Sequence, residues 1–322
     1  LAQAVDDFFA NGGEKLWVVR IPERNDDDPA QAAQLQFLPA ANTQLHDVRT
    51  LRGVASVLVI PALAVVAFPD LERLQIPATL PDIPRVRLDN PDPQFLPLGD
   101  ALDDDHRERR YPSELNAMQP PLPLETVLRG LLGFVQRQRP DVQCLLTLPL
   151  EYSGDAGSPA LDRKALQTLR TLRAQPNNAP LLRQVQCLFP YLRGPRFELQ
   201  SPVGVIAGKQ AAVARAKGPW HSIGAQPLLS DGLPYPRLSI AGTLALRQNP
   251  GVGVLQVRNG FGGRTQLSLD DERLLVPALP LADYDDALND NGEKDPGRFD
   301  GFRAAEIQRF LGFLRRQLQA LG

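Results

Sequence analysis

Four places in the sequence carry residue types from which a reactive or ligand-binding site is ordinarily built. The first is Gly204-Val-Ile-Ala-Gly208-Lys209, which has the glycines and the lysine of a phosphate-cradling loop. Only three residues separate its glycines where the motif needs four. Gln210 stands where a hydroxyl would have to meet magnesium. The better reading is a helix whose small residues allow close packing. His221-Ser222 joins a base to a nucleophile in sequence, but neighbours along the chain do not give the required geometry, and no glycine-flanked nucleophile elbow occurs. Asn289-Asp290-Asn291-Gly292 suggests a calcium loop, yet Ala287 holds the place of the first carboxylate and Arg298 that of the final bidentate acid. A solvated acidic loop fits better. The histidines, His46, His106 and His221, have no two-ligand helical spacing and no cysteine pair nearby, so no zinc or other transition-metal site is expected. Neither catalytic residues nor a cofactor-binding set emerge.

The two cysteines, Cys144 and Cys187, lie inside the apolar runs VQCLLTLP and VQCLFPYL, where a thiol acts as a small buried hydrophobe. One pair offers no disulfide framework of the secreted kind, and the usage fits a reducing cytosol. The chain has 322 residues, enough for a large core without metal or disulfide staples. Lys and Arg number 35 against 37 Asp and Glu, a net charge of −2, and they are scattered, so nucleic acid is not an expected partner. The longest apolar stretch, 54–68, falls short of the roughly 18 residues of a membrane helix and is interrupted by Pro61, so no membrane span is expected. The first residue is Leu inside an uncapped helical pattern, which places the expected natural N-terminus upstream.

These candidates must be positioned by the elements around them. Leu1, Val5, Phe8 and Phe9 share one helical face, Asn11-Gly12-Gly13 stops that helix, and Lys15–Ile21 reads as a buried strand closed by Pro22. The pattern then repeats. Leu45–Leu51 reads as a helix before the strand Val54–Ile60, Leu124–Arg137 as a helix before the strand Val142–Leu148, and Leu161–Arg173 as a helix before Val185–Leu188. Ser158-Pro159 supplies a cap and a first-turn proline for the Leu161 helix. Such alternation implies an α/β fold, a mixed sheet covered by helices on both faces.

The organisation expected is residues 1–68 as the first part of this core, 69–123 as a surface insertion, and 124–322 as the second part. The insertion from Pro69 to Pro123 holds 11 of the 31 prolines and the charged run DDDHRERR, and proline at that density removes the backbone donors of helix and sheet. Beyond Trp220 the sequence turns β-prone at Leu238–Leu246 and Val252–Val257, with glycine turns at Asn249–Gly251 and Asn259–Gly263. The acidic loop Asp283–Asp300 leads to a last helix. Its apolar face is Ile307, Phe310, Leu311, Leu314, Leu318 and Leu321, with Arg303, Arg309, Arg315 and Arg316 off that face. The apolar face is expected to dock on the body or on a neighbour.

With the chemistry set aside, the layout of Ser201–Leu229 dominates. Ser201 and Pro202 open a helix rich in Gly204, Ala207, Gly208, Ala211, Ala212 and Ala214, Gly218-Pro219 stops it, and Trp220 follows at once. A large aromatic just past a helix stop is most often a core or interface anchor. The segment resembles the contractile tail sheath proteins of bacteriophages and phage-tail-like injection systems, where a proline–glycine opening, an alanine–glycine helix, a basic residue, glycine and tryptophan follow in that order. Further blocks resemble the same family. They are Phe8–Gly13 with Leu16–Arg20, Gly53–Pro61 as a core strand with closing proline, Val185–Leu192, Asn249–Thr265 with Gly263-Arg264-Thr265, and Ala305–Leu318 as the helix that follows.

The resemblance implies a structural subunit and not an enzyme. It would be one of many copies in stacked rings or a helical tube around an inner tube protein, bounded by baseplate and tail-terminator proteins. It would be assembled in the bacterial cytoplasm as part of a tail or injection particle. Under that reading the interface residues are Arg215, Lys217 and Trp220, with Arg315 and Arg316 on the last helix, and the insertion faces outward. Two alternatives stay open: a shortened, non-contracting relative at a tail end or baseplate, and a small-molecule enzyme using loops at the ends of an α/β sheet.

Overall fold

The structure is a computed structural model that describes residues 2–19, 39, 43–69, 123–153, 158–161, 163–175, 178, 182, 184–194, 199–247, 252–259, 265–270, 272 and 305–321. The proline-rich insertion from residue 70, the turns at 249–251 and 260–263, Arg264 and the acidic loop 283–300 lie outside the described residues. Its centre is a five-stranded sheet in the order β1 (Val65–Ala67), β2 (Gln143–Thr147), β5 (Val185–Phe189), β9 (Val252–Asn259) and β10 (Thr265–Leu269). The first four strands are parallel and β10 runs antiparallel to β9, with Cys144 opposite Val185, Cys187 opposite Val252 and Leu267 opposite Val257.

The central strands β2 and β5 are mostly apolar and wholly buried because both of their faces are covered. Cys144, Leu146, Cys187, Phe189, Val252 and Val254 point into one core cluster, while Leu145, Leu188, Leu255, Leu267 and Leu269 point into the other. This is the two-residue alternation of a pleated strand applied to two cores at once. The first core is roofed by helix α3, which runs through Leu124–Thr126, a π-helical stretch Val127–Leu132, and Gly133–Gln138, and by helix α4 (Arg163–Ala174). The second is roofed by helix α5 (Val203–Lys217) through Val203, Val205, Ile206 and Val213. Two smaller sheets flank the centre, β3 (Leu150–Ser153) with β4 (Ser158–Leu161), and β7 (Leu199–Gln200), β6 (Tyr191–Arg193) and β8 (Leu233–Tyr235) in that order. The fold is thus the mixed sheet between helices that the alternation implies, ending in a helix.

Helix α1 (Ala2–Ala10) lies on the outer side of α5. Gly204 and Gly208, one helical turn apart, make that crossing possible, since a Cβ at either would overlap the backbone of Ala4 or Phe8. The near-miss phosphate loop is therefore a helix–helix contact surface. The stop after α1 forms as expected: Gly12 takes φ +89° and the Gly13 N–H returns to the Phe8 carbonyl at 3.0 Å. Asn11 then fastens the turn across the molecule, donating to the Leu229 carbonyl at 2.7 Å and accepting from the Leu229 N–H at 2.9 Å.

Several local expectations are corrected. Residues 13–19 form no strand; Leu16, Val18 and Val19 are exposed, and strand formers need a ladder partner that this stretch does not find among the described residues. Leu45–Leu51 is not a helix but one 3₁₀ turn, Val48–Thr50. There Asp47 Oδ1 accepts from the Arg49 N–H and Thr50 Oγ1 donates back to the Gln44 and Asp47 carbonyls, so side chains compete with helical bonding. Within Val54–Ile60, and so within the Gly53–Pro61 block, lies a short helix α2 (Ala55–Leu58). The strand comes later, at β1, because a continuous apolar run carries no period that separates strand from helix. Ser158-Pro159 does not cap α4 but lies in β4. Leu238–Leu246 holds helix α6 (Ile240–Arg247), announced by a cap signal: Ser239 Oγ accepts from the Gly242 N–H at 3.0 Å.

Two predictions concern α1. Gly208→Ala forces a methyl into the Phe8 carbonyl and is expected to destabilise the fold by about 1–3 kcal/mol, read from the urea midpoint. Lys209→Ala, one residue along, should leave that midpoint within about 0.5 kcal/mol. The second concerns Asp7, which is 3% exposed. Burial, with the nearby charges of Asp231 and Asp6, raises its carboxyl from 3.8 to about 6, against the lowering effect of the Gln3 amide. The folded state therefore holds this proton more tightly than the unfolded chain. The contribution is most favourable below pH 3.8 and is lost as pH rises through about 6. Asp7→Asn is expected to be more stable than the parent at pH 7.5, by on the order of 1–3 kcal/mol. That advantage should shrink away by pH 4. An advantage independent of pH would contradict this account.

Candidate functional site

Helix α7 (Ala305–Leu321) meets the body through a polar seam. Its buried residues are Ala305, Gln308, Arg309 and Gly312, while Ile307, Leu314, Leu318 and Leu321 are exposed, Leu318 at 68% and Leu321 at 85%. Most of the expected apolar face thus points outward, with Phe310 and Leu311 half-buried, and Arg309 points in. At the centre of the seam is Glu272, fully buried, which accepts five hydrogen bonds. Arg309 donates from Nη1 at 2.6 Å and Nη2 at 3.0 Å, Gln210 from Nε2 at 2.8 Å, Ser222 from Oγ at 3.2 Å and the Ile223 N–H at 2.8 Å. Arg309 Nη2 also donates to the His221 carbonyl at 3.1 Å. One carboxylate thereby joins α7, α5 and the turn that follows Trp220.

From Glu272 an ordered line of amides runs into the sheet. Gln210 donates to the carboxylate and also to Gln186 Oε1 at 3.0 Å, and Gln143 Nε2 donates to the same Oε1 at 3.3 Å. The negative charge at one end sets the direction of every amide in the line, because Gln210 must present its donor to Glu272. Midway along α7, Gly312 lies so close to the Asp141 carbonyl that a Cβ there would overlap it. Arg316 Nη1 donates to the Asp141 carbonyl at 2.8 Å, and Arg315 Nη1 to the Pro140 carbonyl at 3.0 Å. Burial alone would raise the Asp141 carboxyl, but hydrogen bonds and charge from Arg139, with a further bond from Arg316, hold it below its ordinary value.

The candidate interface residues fall into two groups. Trp220 is 52% exposed and stands edge-on to Phe310 of α7, ring centres 5.5 Å apart, with Gly218 at φ +100° directly beneath its ring. Arg215 and Lys217 are exposed on the last turn of α5, and Arg215 pairs with Glu14. Arg315 and Arg316 instead bond to the carbonyls of Pro140 and Asp141 in their own chain. Ser222 and His221 serve Glu272 and Arg309, one by hydroxyl and one by carbonyl, and are not aligned as nucleophile and base. Cys144 and Cys187 are buried free thiols, each pushed up to about 12 by burial. Among the described residues no His, Cys, Asp or Glu group could hold a metal ion, and no helix is long and apolar enough to cross a membrane.

Sequence reasoning passed over Glu272, Gln210, Gln186 and Gln143. A signal was present in the strands: Val142-Gln143-Cys144 and Val185-Gln186-Cys187 each place a glutamine in a run that is otherwise wholly apolar. A polar side chain in a doubly covered strand needs a buried partner.

No sequence-family model matches the chain, and no curated protein matches it. Among solved structures, it is similar to a chain of the anti-feeding prophage baseplate, with 16% identity over 62% of this chain and 42% of that one and a TM-score of 0.35. It is similar to a chain of the contracted sheath complex of the extracellular contractile injection system PVC, with 15% identity over 56% and 40% and a TM-score of 0.34. It is also similar to the sheath tail protein of Desulfitobacterium hafniense, with 12% identity over 59% and 35% and a TM-score of 0.33. In each case the match spans less than half of the other chain.

Breaking one side of the Glu272–Arg309 pair should be far costlier than removing both. Glu272→Gln, or Arg309→Met alone, is expected to destabilise by about 3–5 kcal/mol, because an uncompensated buried charge or donor remains. The double variant Glu272→Leu with Arg309→Met should lose less than the sum of Glu272→Leu and Arg309→Met. A urea double-mutant cycle measures the difference, and additive losses would mean that the pair is not coupled.

Proposed function

We propose that this chain is a structural subunit of sheath type. Many copies polymerise around an inner tube, and their contraction drives the tube through a target envelope. The observation that carries the reading is the arrangement at Ser201–Leu229. A glycine-bearing helix is sandwiched between α1 and the sheet, stops at Gly218, and presents a half-exposed Trp220 against the outward side of α7. A large aromatic rigidly seated at a surface is an anchor for a partner. The sequence order of this block, with those before and after it, supports the same reading.

The mechanism suited to such a subunit needs no bound nucleotide. The stored energy is a difference between two sets of subunit contacts, small for each copy and summed along the polymer. Trp220, Lys217 and Arg215 supply one contact surface, while Arg315 and Arg316, tied to the carbonyls of Pro140 and Asp141, hold α7 in place on the body for a second. The insertion 69–123 forms the outward surface, between the two parts of the core. Baseplate and tail-terminator proteins bound the polymer, and the particle is put together in the bacterial cytoplasm.

The test is electron microscopy of the concentrated full chain and of the particle that contains it. Rings or tubes with many copies per particle are the expected outcome. A single ring per particle would assign the chain to a tail end or baseplate instead. Monomers at every concentration, with a metabolite retained in native mass spectrometry, would overturn the reading in favour of an enzyme.

A further inference from the structure

The outward side of α7 has an ordered spacing. Ile307, Leu311, Leu314, Leu318 and Leu321 are separated by four, three, four and three residues, which is the 3.5-residue repeat of a helix that packs lengthwise on another helix. The positions opposite that stripe, Ala305, Arg309 and Gly312, are those docked on the body. Among the described residues the partner side of this coiled-coil-like helix is therefore largely open, with Leu311 half-buried, while its back is fixed. A seam of two heptads is too short to hold two free helices together in water, but α7 is already folded by its docking, so that cost is removed in advance.

A second open stripe lies on α6. Ile240, at 83% exposed, and Leu244, at 51%, are one turn apart, and Leu233 on the adjoining β8 is exposed beside them in sequence. The inward residue of α6, Leu246, belongs to the core cluster roofed by α3 and α4. Helix α7 instead lies over the glutamine line of Gln143, Gln186 and Gln210, whose Gln210 is on α5, the roof of the other core. The two stripes thus lie on the sides of the two different cores, and they do not meet among the described residues of one chain.

We propose that the α7 stripe of one copy packs on the α6 stripe of a second copy. This rests on the reading of the chain as a self-assembling subunit and names one of its contacts. Two different surfaces give a head-to-tail contact, which generates a ring or an open helical polymer and not a closed pair. The exposed apolar surface involved, with Trp220 at its edge, is about 970 Å², taking roughly 200 Å² for a full aliphatic residue and 250 Å² for tryptophan. That is just under the ~1,000 Å² that a specific interface has to clear. One such contact gives no lasting dimer, but a lattice in which every copy makes it twice gains from repetition.

Disulfide trapping in the full chain tests this. Leu318→Cys and Ile240→Cys are made in separate chains, and each is oxidised with diamide alone and after mixing, at high concentration. The native thiols are buried and do not compete. Unchanged circular dichroism and urea midpoints confirm that both variants fold. A covalent dimer at least several-fold more abundant in the mixture than in either variant alone is expected, and adding Leu314→Asp to the Leu318→Cys chain should abolish the excess. Equal trapping by Leu318→Cys alone would show α7 pairing with itself and overturn the proposal. Rings or tubes in the microscope without mixed dimers would overturn this contact while leaving the sheath reading intact. Neither assemblies nor dimers would overturn both.

Discussion

The position of the last helix depends on one buried carboxylate. Glu272 is the last described residue before α7 begins at Ala305, and it receives donors from that helix, from α5 and from the turn after Trp220. A buried ion pair is a poor source of net stability, because removing two charges from water offsets most of their attraction. Its value here is register. Apolar surfaces slide over one another at little cost, whereas the two bonds from Arg309 to Glu272 accept one rotation and one height of α7. Gly312 against Asp141 and the arginine bonds to the carbonyls of Pro140 and Asp141 fix the same helix at a second point.

The opposite strategy holds α1. It is seated by contact of backbones, with Gly204 and Gly208 removing the side chains that would keep α1 and α5 apart, and by the two Asn11 bonds to Leu229. Apart from the bond of Gln210 to Gln186, the surface between α5 and the sheet is apolar, so α5 carries a core contact on one side and a close helix contact on the other. That explains why its sequence shows no polar face and why small residues recur along it.

How much of this was legible follows from where each signal resides. The central strands were readable because double coverage makes them short, continuous and apolar, as in VQCLL and VQCLF. The helices α1, α3, α4 and α7 were readable from their period. Local failures came where a pattern is ambiguous: GVASVLVIP has strand formers throughout and folds in part as a helical turn, since nothing in an unbroken apolar run sets a period. Leu238–Leu246 reads as β-prone but folds as a helix, where the Ser239 hydroxyl accepts from the Gly242 N–H. The seam was the least visible. Glu272 and Arg309 are 37 residues apart, and Gln143, Gln186 and Gln210 come from three further elements. Their meeting is a property of the fold, and only the odd glutamine in each apolar strand hinted at it.

The last helix shows why amphipathicity gives a stripe but not its direction. A sequence reader assigns the apolar side of a helix inward, because burial of aliphatic surface is the usual source of docking energy. In α7 the inward side instead carries glycine, alanine, glutamine and arginine, which suit close approach and hydrogen bonding to a body that presents Glu272, Gln184 and the Asp141 carbonyl. A helix fixed by polar bonds on its back can expose leucines on its front without loosening its seat on the described body, although such a stripe in water favours association. The arrangement therefore separates two tasks that ordinary helices combine: directional bonds fix where the helix sits, and non-directional apolar surface is kept for whatever it meets.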